Sequence, residues 1–176
     1  MVRAVLMRGN KSHYDSLKVR KPYTLRADLP PNGHWLFPEQ MNASGKCVGF
    51  VYAIRNRLNG MMYIGRKFYT DRGPKTKGLE TDWKTYTTSN RDVDKLARVL
   101  MAKGVPVGEL FDMHVLEEYK TVGALTFAET WCLVTAETPC KKQFYNTLIG
   151  GISWPVKEPI TPRNRQRLQS FLDGTL

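Results

Sequence analysis

Two strand-like segments joined by an Asn-Gly turn restrict the possible folds of this chain more than any other feature. The first is the run from Phe50 to Ile54, and the second is the run from Met61 to Ile64. Asn59-Gly60 lies between them, a dipeptide that favours a tight hairpin turn. We therefore predict a β-hairpin over residues 47–66. The pairing register, and hence the face of each side chain, is left open by the sequence.

The residues after the hairpin indicate that helices accompany the strands. Residues 67–90 are polar and rich in Lys, Thr and Gly, and they predict a long loop. Apolar residues at helical spacing predict helices over residues 91–103 and 124–137, and Asn90 is suited to cap the first. Residues 109–118 are typical of a third strand. We expect an α+β fold in which a three-stranded antiparallel sheet is flanked by helices.

Both ends of the chain differ from this central domain, which we place at residues 47–150. Residues 1–46 carry four prolines, with eight Lys and Arg against three acids, and predict a basic N-terminal arm. The arm either contacts DNA or packs on the core through Trp35, Leu36 and Phe37, and both interpretations are open. Residues 151–176 predict a Pro-rich linker and a basic helix, for which we favour packing on the domain over phosphate contacts.

The composition favours a polyanionic partner. The formal net charge is +11 over 176 residues, and the isoelectric point is near 9.7. A surface of this kind attracts nucleic acid, although basic charge alone is not specific. Three cysteines without CxxC spacing and three scattered histidines give no disulfide framework or zinc pattern. There is no apolar run long enough for a membrane helix, and we expect a cytoplasmic protein.

Several motifs occur in the order typical of one nuclease family. Gly49-Phe50-Val51-Tyr52 is followed after ten residues by Tyr63-Ile64-Gly65, with the Asn-Gly turn between them. The strand at Phe111 to Glu118, a helix carrying Glu129 and then Tyr145-Asn146 follow. Together these motifs resemble the GIY-YIG nuclease superfamily, whose phage and homing-type members are of similar size. The resemblance implies that family's fold and DNA cleavage with one Mg²⁺ ion, with Mn²⁺ as an alternative.

The resemblance also implies roles for individual residues. Glu129 would bind the metal, and a carboxylate suits Mg²⁺ because this ion prefers oxygen ligands. Without the resemblance, a solvent-facing helix glutamate would be the favoured interpretation. Tyr52 would act on the attacking water as a base or positioner, and Tyr63 would help to orient the water and the phosphate. Asn146 would be structural, tying the glutamate helix to the sheet.

The basic residue that contacts the scissile phosphate is less defined by the sequence. The family places an arginine on a helix soon after its second motif, but here Gly73-Pro74 interrupts any such helix. Arg72 is nearest in spacing, and Arg66 is the second candidate catalytic cation. Lys67, Lys84 and Arg91 are predicted to contact DNA. The first motif also departs from the usual pattern, because Gly49 is displaced by one residue.

Two other functions remain open. The first is a catalytically impaired DNA-binding protein on the same fold, for which the undefined phosphate-binding arginine is the main argument. The second is an RNA-binding module, for which basic charge with aromatic residues would suffice, although no known RNA-binding motif is present. Target sequence, double-strand cleavage as opposed to nicking, and dimerisation on DNA are not determined by the sequence.

Overall fold

The structure, a computed structural model, describes residues 31–38, 46–147, 149 and 160–176. Most of the predicted N-terminal arm lies outside the described residues, as does the linker that contains Pro155 and Pro159. Within the described ranges, no helix is long and apolar enough to cross a membrane. The elements of the described chain are, in order, β1 (Gly49–Asn56), β2 (Met62–Phe68), α1 (Arg91–Ala102), a 3-10 helix (Val107–Glu109), β3 (Phe111–Tyr119), α2 (Val122–Thr135), a second 3-10 helix (Thr138–Cys140) and α3 (Pro162–Asp173).

The three described strands form one antiparallel sheet in the order β2-β1-β3, which confirms the predicted α+β architecture. In the β1–β2 register, Tyr52 is opposite Gly65 and Ile54 is opposite Tyr63. Residues opposite each other, and residues two apart on one strand, lie on the same face of a sheet. The register therefore places Tyr52 and Tyr63 on one face.

Each face of the sheet carries its own apolar cluster. Helices α2 and α3 pack on one face, over Val51, Ala53 and Ile64. The other face is covered by α1, by the loop that precedes it and by residues near Trp35. Tyr52 belongs to this second cluster. The sheet is thus buried on both sides, and strand β2 forms one of its edges.

Strand β2 is longer than predicted, and this changes the position of two basic residues. It continues to Phe68, because Phe50 and Gly49 of β1 pair with Lys67 and Phe68. The prediction that Lys67 begins a loop was therefore wrong. Since side chains alternate along a strand, Arg66 and Lys67 project to opposite faces, Arg66 towards α2 and Lys67 towards the ring of Tyr86.

The helices begin where side-chain caps are available. The Asn90 side chain accepts hydrogen bonds from the N–H groups of Asp92 and Val93 at the start of α1, as predicted. Helix α2 begins two residues earlier than predicted, at Val122, because the Thr121 side chain accepts a hydrogen bond from the Ala124 N–H. It ends at Thr135, shortly before Glu137, whose φ of 53° is left-handed.

Residues 31–38 are part of the domain core. The backbone of Leu36 pairs with β3, accepting from the Val115 N–H at 3.1 Å and donating to the Met113 carbonyl at 2.8 Å. The side chain of Trp35 is 3% exposed, and its indole N–H donates to the Trp83 carbonyl at 2.6 Å. Packing of the arm on the core is therefore found at Trp35, whereas the side chain of Leu36 is 49% exposed.

Helix α3 packs on β3 through buried side chains, in agreement with the favoured interpretation of this segment. Leu168 and Phe171 are buried in the cluster shared with α2. Asn164 is fully buried and donates a hydrogen bond to the hydroxyl of Tyr119. Arg167 donates two hydrogen bonds to the Val115 carbonyl, at 3.2 and 2.9 Å. At least one of the predicted basic residues of this helix therefore has a structural role.

Replacing Trp35 tests whether the domain begins before residue 47. We expect Trp35→Ala to lower the free energy of unfolding by about 3–5 kcal/mol, because a large buried side chain is lost. Leu36→Ala is the matched control and should change this free energy by no more than about 0.5 kcal/mol, since its side chain is half exposed. Urea denaturation followed by tryptophan fluorescence measures both. Equal, small effects would mean that residues 31–38 do not belong to the folded domain.

Candidate active site

Tyr52 and Tyr63 lie side by side, but only one of them reaches the surface. Their ring centroids are 6.1 Å apart. The Tyr63 hydroxyl is at the surface, 2.8 Å from the hydroxyl of Ser89. The side chain of Tyr52 is 1% exposed, and its hydroxyl is hydrogen-bonded to Tyr86 and Thr88. The pair therefore consists of one accessible and one buried hydroxyl.

Gly65 makes room for this arrangement. A Cβ atom at Gly65 would lie 2.6 Å from the Tyr52 hydroxyl oxygen and 2.9 Å from Cε1 of Tyr63. Both distances are shorter than van der Waals contact, so any other residue at this position would displace the tyrosines. The glycine of the Tyr-Ile-Gly motif thus has a direct steric role in the packing of both rings.

The burial of Tyr52 bears on its predicted role. Burial raises the pKa of its hydroxyl well above the ordinary value, and the nearby Tyr86 and Tyr63 hydroxyls raise it further. A hydroxyl that stays protonated and is closed off from solvent suits the positioning role better than that of a base. In this structure, Tyr52 contacts other side chains of the site, and Tyr63 is the tyrosine that solvent reaches.

Successive outward-facing backbone N–H groups of β2 form hydrogen bonds with other parts of the chain. The Met62 N–H donates to the Gln143 carbonyl at 2.8 Å, and the Ile64 N–H donates to Oδ1 of Asn146 at 2.9 Å. The next outward N–H, that of Arg66, donates to the Glu129 carboxylate. Glu129 therefore lies beside Arg66, the residue of β2 that follows Gly65.

Glu129 and Arg66 form an ion pair that is largely buried. Oε2 of Glu129 is 3.2 Å from Nη1 of Arg66, and the side chains are 16% and 29% exposed. Burial raises the pKa of the Glu129 carboxyl, and the charge and backbone N–H of Arg66 oppose that rise. Nη1 of Arg66 is close enough for an ion pair but makes no aligned hydrogen bond.

Asn146 binds the edge of β2 directly. Its Oδ1 accepts from the Ile64 N–H at 2.9 Å, and its Nδ2 donates to the Ile64 carbonyl at 2.8 Å. We predicted a structural asparagine that joins the glutamate helix to the sheet. Its hydrogen bonds instead join the closing segment, residues 143–146, to β2, and Glu129 reaches the same strand by its own contact.

Arg72 lies close to the Arg66 position but is not part of the ion pair. Its guanidinium is exposed and lies 5.5 Å from the centroid of the Phe68 ring. The guanidinium of Arg66 is 5.9 Å from the centroid of the same ring. The two candidate catalytic arginines therefore border one aromatic side chain. Of the two, Arg66 is the one that contacts Glu129.

The three residues predicted to contact DNA have different surroundings. Lys67 is 2.6 Å from Asp82 and lies 3.8 Å from the centroid of the Tyr86 ring. Lys84 is 3.1 Å from Glu80. Arg91 is exposed at the first residue of α1. Two of the three positive charges are thus paired with acids of the same loop.

The donor set of this site is suited to a metal that needs few protein ligands. Among the described residues, no three His, Cys, Asp or Glu side chains are grouped closely enough to hold a metal ion. Glu129 would be a lone carboxylate ligand. Mg²⁺ usually keeps several waters and binds one or two carboxylates together with substrate phosphates. A single carboxylate beside an arginine fits that pattern.

The sequence interpretation missed three hydroxyl residues of the site. Thr88 and Tyr86 form hydrogen bonds with the Tyr52 hydroxyl, and Ser89 forms one with the Tyr63 hydroxyl. Tyr86 lies within the loop predicted over residues 67–90. The available signal was the run Thr87-Thr88-Ser89 immediately before the N-cap of α1, but such residues are common at helix starts for capping reasons alone.

A hairpin with paired tyrosines, a third strand and a glutamate on the following helix together define a nuclease domain of the GIY-YIG type. The family model described as "Putative endonuclease segE, GIY-YIG domain" matches residues 35–149, and the chain belongs to this family. The match begins at Trp35, which is buried in the core. Comparisons with curated proteins and with solved structures gave no significant match.

Removing Arg66 tests the ion pair without any assay of activity. In Arg66→Gln, we expect the pKa of Glu129 to rise further, because burial still disfavours the carboxylate and the opposing charge is gone. Carboxyl ¹³C chemical shifts followed over pH measure this pKa. Glu118 is the internal control, since burial raises its pKa but Arg66 is not among the groups that shift it. A Glu129 pKa that does not change would contradict the ion pair.

Proposed function

We propose that the protein is a DNA endonuclease that hydrolyses phosphodiester bonds with a single Mg²⁺ ion. The observation that carries the proposal is the Arg66–Glu129 pair at the edge of β2, directly after the glycine on which the two tyrosines rest. Family membership supports a nuclease. The net charge of +11 supports a polyanionic substrate such as duplex DNA.

Arg66 is the residue that we propose binds the scissile phosphate. A guanidinium forms charge-assisted, often bidentate hydrogen bonds with phosphate oxygens. The Arg66 side chain is 29% exposed, so part of it is accessible to a phosphate. Because the guanidinium is held by Glu129 before substrate binds, its positive charge is already in place when negative charge develops on the phosphate. Arg72, which borders the same Phe68 ring, would contact an adjoining phosphate.

Tyr63 and Tyr52 have different proposed roles toward the attacking water. The Tyr63 hydroxyl is accessible and is fixed by Ser89, so we propose that it positions the water. Tyr52 is a positioning residue in this proposal, because its ring supports Tyr63 and its hydroxyl holds Tyr86. Neither tyrosine needs a lowered pKa for these roles, since a neutral hydroxyl both donates and accepts hydrogen bonds.

Glu129 is the residue that would hold the metal. When bound there, Mg²⁺ would supply positive charge to the phosphate and acidify water in the site. To bind a cation, the Glu129 carboxyl must be ionised and must share its oxygens with Arg66. The ion pair therefore also keeps Glu129 charged in a partly buried position where burial alone would favour the neutral acid.

We further propose a phage-borne or homing-type enzyme that acts in the cytoplasm of its host cell. The basis is the small size and single domain, which resemble those members of the family. One active site cuts one strand at a time, so double-strand cleavage would need two subunits or two successive nicks.

Cleavage of supercoiled plasmid DNA with Mg²⁺ tests the proposed activity. The wild type should produce nicked or linear DNA, and Glu129→Gln should reduce the rate by at least about 100-fold. Glu109→Gln, at an exposed position outside the site, is the matched control. Equal cleavage by wild type and Glu129→Gln would exclude this site. No cleavage by the wild type, with salt-sensitive DNA binding retained, would support the impaired DNA-binding protein instead.

The pH dependence of the rate follows from the raised pKa of Glu129. Below that pKa the carboxyl is neutral and cannot hold a cation, so cleavage should be lost as the pH falls through it. Because burial raises the pKa, this loss should occur above the ordinary value of 4.5. Initial cleavage rates between pH 4 and 8 at constant ionic strength measure the midpoint, with Mg²⁺ well below saturation so that the bound ion does not lower the apparent pKa. A midpoint below 4.5 would contradict the assignment to Glu129.

The two tyrosines should differ when their hydroxyls are removed. Tyr63→Phe should reduce the cleavage rate by about 10²–10⁴-fold, because it loses the accessible hydroxyl. Tyr52→Phe should cost about 1 kcal/mol of stability through its lost hydrogen bonds, with a smaller effect on the rate. Parallel cleavage assays and thermal unfolding measure both quantities. The opposite order of the rate effects would restore a direct role for Tyr52.

A further inference from the structure

A protruding loop at residues 70–80, which we name the basic loop, has a defined internal structure. Its ends are joined by an antiparallel bridge between Thr70 and Glu80. Asp71 donates its N–H to the Leu79 carbonyl at 2.7 Å and accepts at its own carbonyl from the Gly78 N–H at 3.0 Å. The loop is therefore held by backbone hydrogen bonds across its base.

The charges of the basic loop are arranged so that its tip is positive. Arg72, Lys75 and Lys77 are exposed. The acids lie at the base and are engaged there: Asp71 accepts from the Gly73 N–H at 2.8 Å, and Glu80 pairs with Lys84 at 3.1 Å. For Lys75 and Lys77, the described part of the chain provides no hydrogen-bonding or ionic partner.

The loop stands next to the proposed site of cleavage. It follows β2 directly, and Arg72 lies against the Phe68 ring that Arg66 also contacts. Lys67 and Lys84, which the sequence indicated as DNA contacts, are each paired with an acid. Lys75 and Lys77 at the tip of the loop therefore add exposed positive charge that neither of these pairs neutralises, as does Arg91 at the start of α1.

We propose that the basic loop is the surface that holds the phosphate backbone of duplex DNA beside the cleavage site, through Lys75 and Lys77. This inference rests on the proposed function in that DNA is the partner. Duplex DNA fits better than a single strand, because proteins bind single strands by stacking bases on aromatic side chains, and residues 70–80 contain none. Lysines at the tip suit phosphates, which they contact by charge.

Salt-dependent DNA binding tests the proposal, with the full chain carrying Glu129→Gln so that the DNA stays intact. Fluorescence anisotropy with a labelled duplex gives Kd at several NaCl concentrations. Each phosphate contact contributes about 0.9 to the slope of log K against log salt. Lys75→Gln/Lys77→Gln should reduce the slope by roughly 2. Lys75→Arg/Lys77→Arg keeps both charges and should keep the slope.

The control variant is Lys103→Gln/Lys142→Gln, which removes two exposed charges outside the basic loop for which the described residues likewise provide no ionic partner. This variant should leave the slope nearly unchanged. An unchanged slope in Lys75→Gln/Lys77→Gln would overturn the proposal, and so would an equal reduction in the control. Tighter binding of a single strand than of the duplex would also overturn it.

The failure of the proposed function can be distinguished from the failure of this inference. If the wild type does not cleave plasmid DNA but the slope falls as expected, the endonuclease proposal fails and the basic loop stands as a DNA contact. If the wild type cleaves and the slope does not change, the loop proposal fails alone. A protein that neither binds nor cleaves DNA contradicts both.

Discussion

The outer edge of β2 is the constraint on which the rest of the site depends. An edge strand leaves every second backbone N–H without a partner in the sheet, and a partly buried strand cannot leave these groups unpaired. Here Gln143, Asn146 and Glu129 satisfy three of them in succession, at Met62, Ile64 and Arg66. The backbone of β2 thereby fixes the positions of the closing segment, residues 143–146, and of the Glu129 side chain on α2.

Groups on opposite faces of the sheet occupy neighbouring positions along this edge. The tyrosines pack on the face shared with Trp35, whereas Arg66 projects to the face of α2. Gly65, against which the two rings lie, and Arg66 are consecutive residues of β2. Gly65 permits the two rings to lie over the strand, and the next residue supplies both the N–H and the guanidinium that hold Glu129.

Local sequence patterns were sufficient to predict the strands and helices. They were not sufficient to predict which side chains of the site are accessible to solvent. The Asn-Gly turn, the apolar spacing of α1 and the cap at Asn90 act over a few residues, and the structure confirms them. The burial of Tyr52 depends on Trp35 and Tyr86, which are distant in sequence, and no local pattern reports their contact. The choice of Arg66 over Arg72 likewise required the true end of β2, because strand length is set by partners on β1.

A net charge of +11 indicates a polyanionic partner, but the fold decides which charges are available to it. Lys67 and Lys84 are bound by acids of their own loop, and Arg66 is engaged by Glu129. An arginine held by a carboxylate is positioned for one phosphate, and its net contribution to long-range attraction is reduced by the paired charge. Long-range attraction of the substrate and positioning of one phosphate therefore require different residues. Exposed lysines on the basic loop beside Phe68 can supply the attraction without disturbing the Arg66–Glu129 pair.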